Sequence, residues 1–165
     1  MELEFIRHHV PSFWQREDPC PGWPSTVVNG GFVQSEDFRE DWWNDFETSS
    51  YGTCIEVQLN RVEVARLALN ARDADSLQHY ANKPPLIDPI DINKLEVAES
   101  CQRRGIATAI LNVLSVGFSD RTLAAMAKKE SEPFWDSIGW IRSLQHEHGE
   151  QAFAFYFRPA AVGEA

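Results

Sequence analysis

"LEVAESCQRRGIATAILNVL", residues 95–114, decides the fold. It closes a strand-like run that begins at Ile90 and ends at Val97. After a polar bend, Ile106, Ile110, Val113 and Leu114 recur at helical spacing, which predicts a helix ending near Gly117. Between them stand Gln102, Arg103, Arg104 and Gly105. A helix start carries unpaired N–H groups and the positive end of the helix dipole, so it favours phosphate. Gly105 lets the backbone approach an anion with no Cβ in the way, and the small Ala107 would line the same cradle. Arg103 and Arg104 add charge that can reach phosphate oxygens. The fingerprint G-x-G-x-x-G of dinucleotide sites and the G-K-[ST] of triphosphate loops are both missing from the sequence.

Outward from this stretch the pattern is mixed. Glu2 to Val10 reads as a first strand stopped by Pro11, and Asp18 to Gly31, with three prolines and three glycines, reads as loop. "SEDFREDWWNDFE" puts Phe38, Trp42 and Phe46 on one helical face behind an N-cap at Ser35. "CIEVQLNRVEVARLALN" (Cys54 to Asn70) predicts two antiparallel strands turning at Asn60-Arg61. Ala71 to Pro89 is proline-rich, with a short helix at its beginning. Downstream, Thr122 to Ala127 reads as a buried strand. Ser131 to Gly139 reads as a short helix with a serine cap and Pro133 in its first turn, and Gln151 to Phe157 as a closing strand. The expected class is α+β: a mostly antiparallel sheet with helices and one strand–helix–strand unit.

Composition narrows the function. A chain of 165 residues, 43% apolar and 12% aromatic, predicts a single domain (1–165) with a proper core. With 25 acidic against 15 basic residues, the net charge of −10 disfavours nucleic acid and anionic membranes and suits a cationic ligand such as an amine. No apolar run is long enough for a membrane helix, and the acidic N-terminus does not read as a signal peptide. Cys20, Cys54 and Cys101 are scattered and odd in number, so reduced thiols in a cytoplasmic protein are expected. His8-His9 and His146-x-His148 come without a ligand set at metal spacing; they are expected to be exposed loop histidines, and no metal is predicted.

"LEVAESCQRRGIATAIL" resembles the acyl-CoA-binding segment of the GNAT superfamily of N-acetyltransferases: a strand ending in valine, then Q/R-x-x-G-x-G/A. "PFWDSIGW" (Pro133 to Trp140) resembles that family's later helix, so the likeness covers about residues 90–140, while 1–50 fall in its variable acceptor-side region. The resemblance implies a mixed sheet with splayed central strands and acetyl-CoA as cosubstrate. It implies a pantetheine paired with the strand backbone at Leu95 and Val97, and a pyrophosphate held around Gln102, Arg103, Arg104, Gly105, Ile106, Ala107 and Thr108. An amine acceptor, small molecule or peptide, would attack the thioester directly, with an N–H from the Val97 region polarising its oxygen. Oligomeric state stays open between monomer and homodimer.

The catalytic residues are implied by position. The family's base or water-holder often lies four and six residues before the final valine, which gives Asn93 and Asp91, on one face by strand alternation. Glu96 points the other way. The family's usual acid, a tyrosine, is here Trp135, which can donate a hydrogen bond but no proton; it reads as a cofactor wall. Tyr156 is the alternative phenol, and the Trp42-Trp43 pair reads as core or as an acceptor wall. Three functions follow: an N-acetyltransferase acting on a primary amine, a non-catalytic acyl-CoA-binding module, or an α+β interaction protein whose Q-x-x-G-x-A is accidental.

Overall fold

The computed structural model describes residues 1–9, 18–38, 52–143 and 153–161. β3 (Thr53–Leu59) and β4 (Val62–Ala71) form the expected antiparallel pair. Asn60 and Arg61 turn it with φ of 54° and 65°, and left-handed geometry at both central residues gives a two-residue hairpin the right-handed twist of its strands. The other described strands and α-helices are β1 (Glu4–His9), β2 (Thr26–Asn29), β5 (Ile90–Val97), α1 (Ile106–Gly117), β6 (Leu123–Ala127), α2 (Glu132–Ser137), β7 (Ile141–Ser143) and β8 (Ala154–Arg158). Among the described residues eight strands run in the order β2-β1-β3-β4-β5-β6-β8-β7, a mixed sheet of the expected α+β class. No helix among the described residues is long and apolar enough to cross a membrane. The chain divides into two compact units, Met1–Ala71 with Asn93–Leu111, and Arg72–Ile92 with Asn112–Ala165.

In the first unit β1 pairs antiparallel with β3 and parallel with β2. β2 corrects the sequence reading, which placed 18–31 in loop. Its four residues are all exposed, so no alternation of burial marks it, and the flanking prolines and glycines carry the stronger signal. Seven successive residues of β4, Val64 to Asn70, are buried, as in a strand covered on both faces. Arg66 lies among them, 2% exposed. Its guanidinium bonds both Glu63 oxygens (2.6 and 2.9 Å) and the Val33 carbonyl (2.5 Å). It sits 4.8 Å from the Phe32 ring centroid and 4.0 Å from that of Phe38. Phe32 and Phe38 pack with Cys54, Ala68 and Ala98, so segment 32–38 closes one face of this unit. Ser35 Oγ accepts from the Asp37 N–H at 3.3 Å, as a cap would; the helix expected behind it, with Trp42 and Trp43, lies outside the described residues.

In the second unit β5 and β6 pair in parallel at Ile90↔Leu123 and Asp91↔Ala124, joined through α1 as the strand–helix–strand unit predicted. β8 inserts between β6 and β7, antiparallel to both. β7 was not foreseen; three residues cannot display a period. Leu77, Tyr80, Leu86, Ala124, Phe155 and Phe157 form one cluster, so segment 72–89 covers the sheet face that carries Asp91 and its register partner Ala124. The Arg158 guanidinium bonds the carbonyls of Ser115 (2.6 Å) and Phe118 (3.2 Å), capping the C-terminal end of α1.

α1 ends at Gly117 as predicted, with one correction to its stripe. Ile106, Ile110, Leu111 and Leu114 are buried, whereas Val113 is 38% exposed. At about 100° per residue the buried arc is centred between Ile110 and Leu114, and Val113 falls at its rim. In α2, Ser131 occupies the cap position but its hydroxyl donates to the Lys128 carbonyl instead (2.8 Å).

Candidate functional site

The bend after β5 is built by two left-handed residues. Ala98 N–H donates to the Val64 carbonyl (2.9 Å), one 3₁₀ turn spans Glu99–Cys101, and then Arg103 takes φ 60° and Gly105 φ 77°. Both values lie in the left-handed region, so the backbone turns sharply twice between β5 and α1. The first helical bond of α1 is Ala109 N–H to the Gly105 carbonyl (2.9 Å), so the N–H groups of Ile106, Ala107 and Thr108 have no acceptor within the helix. Gln102, Arg103, Arg104, Gly105 and Thr108 are exposed, Ala107 is half-buried and Ile106 is buried beneath them. A Cβ on Gly105 would meet nothing within 4 Å, so the space before the backbone is open. No carboxylate occurs within 102–108 to repel an anion. These residues fit a pyrophosphate group.

Further observations belong to this bend. Asn93, Lys94, Leu95, Glu96 and Val97 are all half-buried, and the pairing of β5 with β6 stops before them, at Ile90 and Asp91. Gln102 Nε2 donates to the Val97 carbonyl (3.3 Å). Asp37, which sequence reasoning passed over, ties segment 32–38 to the bend: its carbonyl accepts from Glu99 N–H (3.1 Å) and its carboxylate from Ser100 Oγ (3.2 Å). No local signal marks a pair 63 residues apart. Cys101, half-buried, has its sulfur 3.7 Å from Ser100 Oγ.

Asp91, the predicted proton acceptor, is 2% exposed and belongs to the second unit. Its Oδ2 accepts from Arg72 Nη1 at 2.8 Å, while its buried Oδ1 has no hydrogen-bond partner among the described residues. Burial pushes its carboxyl up to about 6, against the opposing pull of the Arg72 guanidinium. Asn93 follows on the same face by alternation and is half-buried.

Trp135 is buried, with ring centroids at 5.1 Å from Trp140 and 6.0 Å from Tyr156. The fully buried Tyr156 donates its hydroxyl to Asp136 Oδ1 (2.8 Å), and burial followed by that carboxylate pushes its phenol up to about 12. The phenol is thereby engaged with α2.

The histidine reading is corrected at His8 and His9, which both lie on β1 and not in a loop. His8 is buried on β1, with Nε2 2.9 Å from Glu56 Oε2 and Nδ1 3.1 Å from the Gly30 carbonyl, not exposed in a loop. His9 is exposed, and His146 and His148 lie outside the described residues. Among the described residues no group of three or more His, Cys, Asp or Glu is placed to hold a metal. The three cysteines are free thiols, and burial pushes Cys54 up to about 12.

No family model matches the chain, and no curated protein matches it in sequence. Solved structures do match its fold. The N-acetyltransferase YlbP of Bacillus subtilis, solved with coenzyme A, aligns with a TM-score of 0.50 at 17% identity, over 64% of this chain and 66% of that one. An acetyltransferase of Thermus thermophilus aligns with a TM-score of 0.48 at 17% identity, over 64% and 62% of the two chains. A GNAT-family acetyltransferase of Bacillus cereus gives 0.45 at 15% identity, over 66% and 71%. The match spans just under two thirds of the length of the first two proteins. At such identities the likeness is one of fold, and it agrees with the parallel β5–α1–β6 unit set in an otherwise largely antiparallel sheet. The chain has the fold of the GNAT-family acetyltransferases.

Proposed function

We propose that the chain is an acyl-CoA-dependent N-acyltransferase, one GNAT-like domain that moves an acetyl group from acetyl-CoA to a primary amine. The observation that carries this reading is the bend at Arg103 to Thr108: left-handed backbone at Arg103 and Gly105, helix-start N–H groups without helical acceptors, and open space before Gly105. In this reading those N–H groups, with Gln102, Arg103 and Arg104, hold the pyrophosphate. The half-exposed Leu95 and Val97 offer backbone to the pantetheine. Ala98 N–H is already given to Val64, so the N–H that polarises the thioester oxygen comes from β5 itself.

Acetyl-CoA supplies the acyl carbon, to which the amine nitrogen bonds as the C–S bond breaks, giving an amide and the free thiol. An alkylammonium, with a pKa near 10.4 as in lysine, first has to lose a proton. Asp91 receives it through water at Oδ1. With its carboxyl near 6 instead of 3.8, Asp91 holds a proton better than an ordinary aspartate while staying mostly ionised at neutral pH. The nitrogen's second proton leaves by solvent or to the thiolate, because indole supplies none and Tyr156 is committed to Asp136. The acceptor is an amine-bearing small molecule or peptide, cationic at rest, met by a cytoplasmic protein of net charge −10.

The same commitment of Tyr156 favours a second reading, a non-catalytic acyl-CoA-binding module. Thiol release from acetyl-CoA across a panel of primary amines tests the choice. Release with at least one amine supports the transferase; a rise in Tm with CoA and no release with any amine supports the module. No rise in Tm with either CoA or acetyl-CoA removes both.

A further inference from the structure

Arg72 and Asp91 lie 19 positions apart, yet the fold fastens them together within one unit. Arg72 N–H donates to the Pro89 carbonyl (3.0 Å), closing segment 72–89 just before Asp91. The guanidinium is gripped at three points: Nε donates to Ser76 Oγ (3.2 Å), Nη1 donates to Asp91 Oδ2 (2.8 Å), and its carbon lies 5.6 Å from the Phe155 ring centroid. A guanidinium free to choose meets a carboxylate with two parallel N–H bonds. Here Ser76 takes the Nε–H, and Arg72 reaches only one oxygen of Asp91.

We infer that Arg72 is a positioning residue: held by Ser76 and Phe155, it keeps the buried Asp91 carboxylate charged through Oδ2 and leaves Oδ1 as the single oxygen that can take a proton. This rests on the role proposed for Asp91 and adds the residue that sets it. The charged and titratable groups facing Asp91 among the described residues are Arg72 and Tyr80, both from segment 72–89; Ala124 of β6 and Phe157 of β8, on the same face, carry no charge. Burial raises the Asp91 carboxyl and Arg72 lowers it, giving a value of about 6. Removing the guanidinium leaves burial unopposed, so the carboxyl moves further up and the ionised fraction at neutral pH falls.

The test is the pH profile of kcat/KM for acetyl-CoA-dependent thiol release with an amine from the panel. Wild type should lose activity as pH falls through about 6. Arg72→Gln should move that acidic limb up by about one unit or more, the size of effect a neighbouring guanidinium exerts on an aspartate. The KM for acetyl-CoA should not change, a split that general loosening would not give. Arg72→Lys keeps a charge and should return the limb most of the way. If Arg72→Gln does not fold, Arg72→Met, which keeps the stem against Phe155, serves the same comparison. An unmoved limb in the folded neutral variant overturns the inference, as does a limb moved equally by lysine. If wild type turns over no amine, the same ordering is read from the carboxyl carbon resonance of Asp91, assigned by its loss in Asp91→Asn. A midpoint higher in the neutral variant than in wild type sustains the electrostatic hold on Asp91, while the missing turnover counts against the transferase alone.

Discussion

At the start of β5, Ile90, Asp91 and Ile92 are buried, and the one charge among them is met by a single guanidinium. At its far end, Asn93 to Val97 are all half-exposed, and the chain continues into a bend of open N–H groups flanked by two exposed arginines. One strand thus has a closed end and an open end, and the two suit different work. A dianionic ligand needs many donors that remain accessible, so its site belongs where backbone meets solvent. A carboxylate that exchanges a proton near neutral pH needs a surrounding that raises its pKa, which solvent would cancel. Binding at the open end and proton transfer at the closed end should therefore separate under mutation.

The largest effect is expected at the open end. Gly105→Glu places a side chain and a negative charge in the bend, at a φ that L residues avoid. Acetyl-CoA at about a hundred times its dissociation constant should stabilise wild type by roughly 2.7 kcal/mol, read as a rise in Tm. The variant should lose that rise entirely while its ligand-free melt stays cooperative. A folded variant with the full rise would place the binding site elsewhere.

Next comes the closed end. Asp91→Asn keeps size but accepts no proton, so kcat should fall by about a hundredfold or more, with the acetyl-CoA-dependent rise in Tm retained. Part of the rate should return at high pH, where more of the acceptor arrives deprotonated. Stopped assays across pH and a thermal melt with acetyl-CoA decide it. If both ends fail together, the division of labour along β5 is wrong.

A smaller effect has the opposite sign. The folded Asp91 carboxyl, at about 6, lies above the 3.8 of an ordinary aspartate, so the native state binds the proton more tightly than the unfolded chain. This group's stabilising contribution is complete below about pH 4 and is lost as pH rises through about 6. Asp91→Asn resembles the protonated form at every pH. Its Tm should exceed that of wild type by a few degrees above pH 7, with the difference closing toward pH 4. A variant less stable than wild type at pH 8 would mean that the Arg72 pair outweighs the cost of burying the charge.

The smallest expected effect comes from the whole molecule's charge. With a cationic acceptor, kcat/KM should decline as salt screens the field of ten net negative charges over a Debye length of about 8–10 Å. The Gly105→Glu and Asp91→Asn effects should not depend on salt in this way. A kcat/KM indifferent to ionic strength would make the acidity a matter of solubility.

The open end could be read in the sequence because everything that builds it is contiguous. Gly105 marks the turn, Ile106, Ile110 and Leu114 set the helix period, and the strand limits 90–97 and the helix end at Gly117 are those observed. The turn at Asn60-Arg61 was legible for the same reason. The closed end was legible only as a position: Asp91 follows from counting back along the strand, but its partner Arg72 lies beyond three prolines with no pattern linking them. Asp37 was missed likewise. β2 and β7 escaped because edge strands of four and three residues, half of them or more exposed, show neither alternation nor length. Local signals report elements; long-range pairing of charges reports itself only once the fold exists.

Arg66 shows what such pairing does to the meaning of a residue. A strand position buried between two phenyl rings would ordinarily accept valine, leucine or isoleucine, and a hydropathy scale would rank lysine and arginine there as equally foreign. The flat guanidinium is what lets one side chain lie against Phe32 and Phe38, clasp both oxygens of Glu63 and still reach the Val33 carbonyl. An ammonium has donors enough but neither a flat face for the rings nor a fork for the carboxylate, and an aliphatic chain would strand Glu63. In the vocabulary of this site, arginine has no synonym: the exchange most often counted as conservative is the one its geometry forbids.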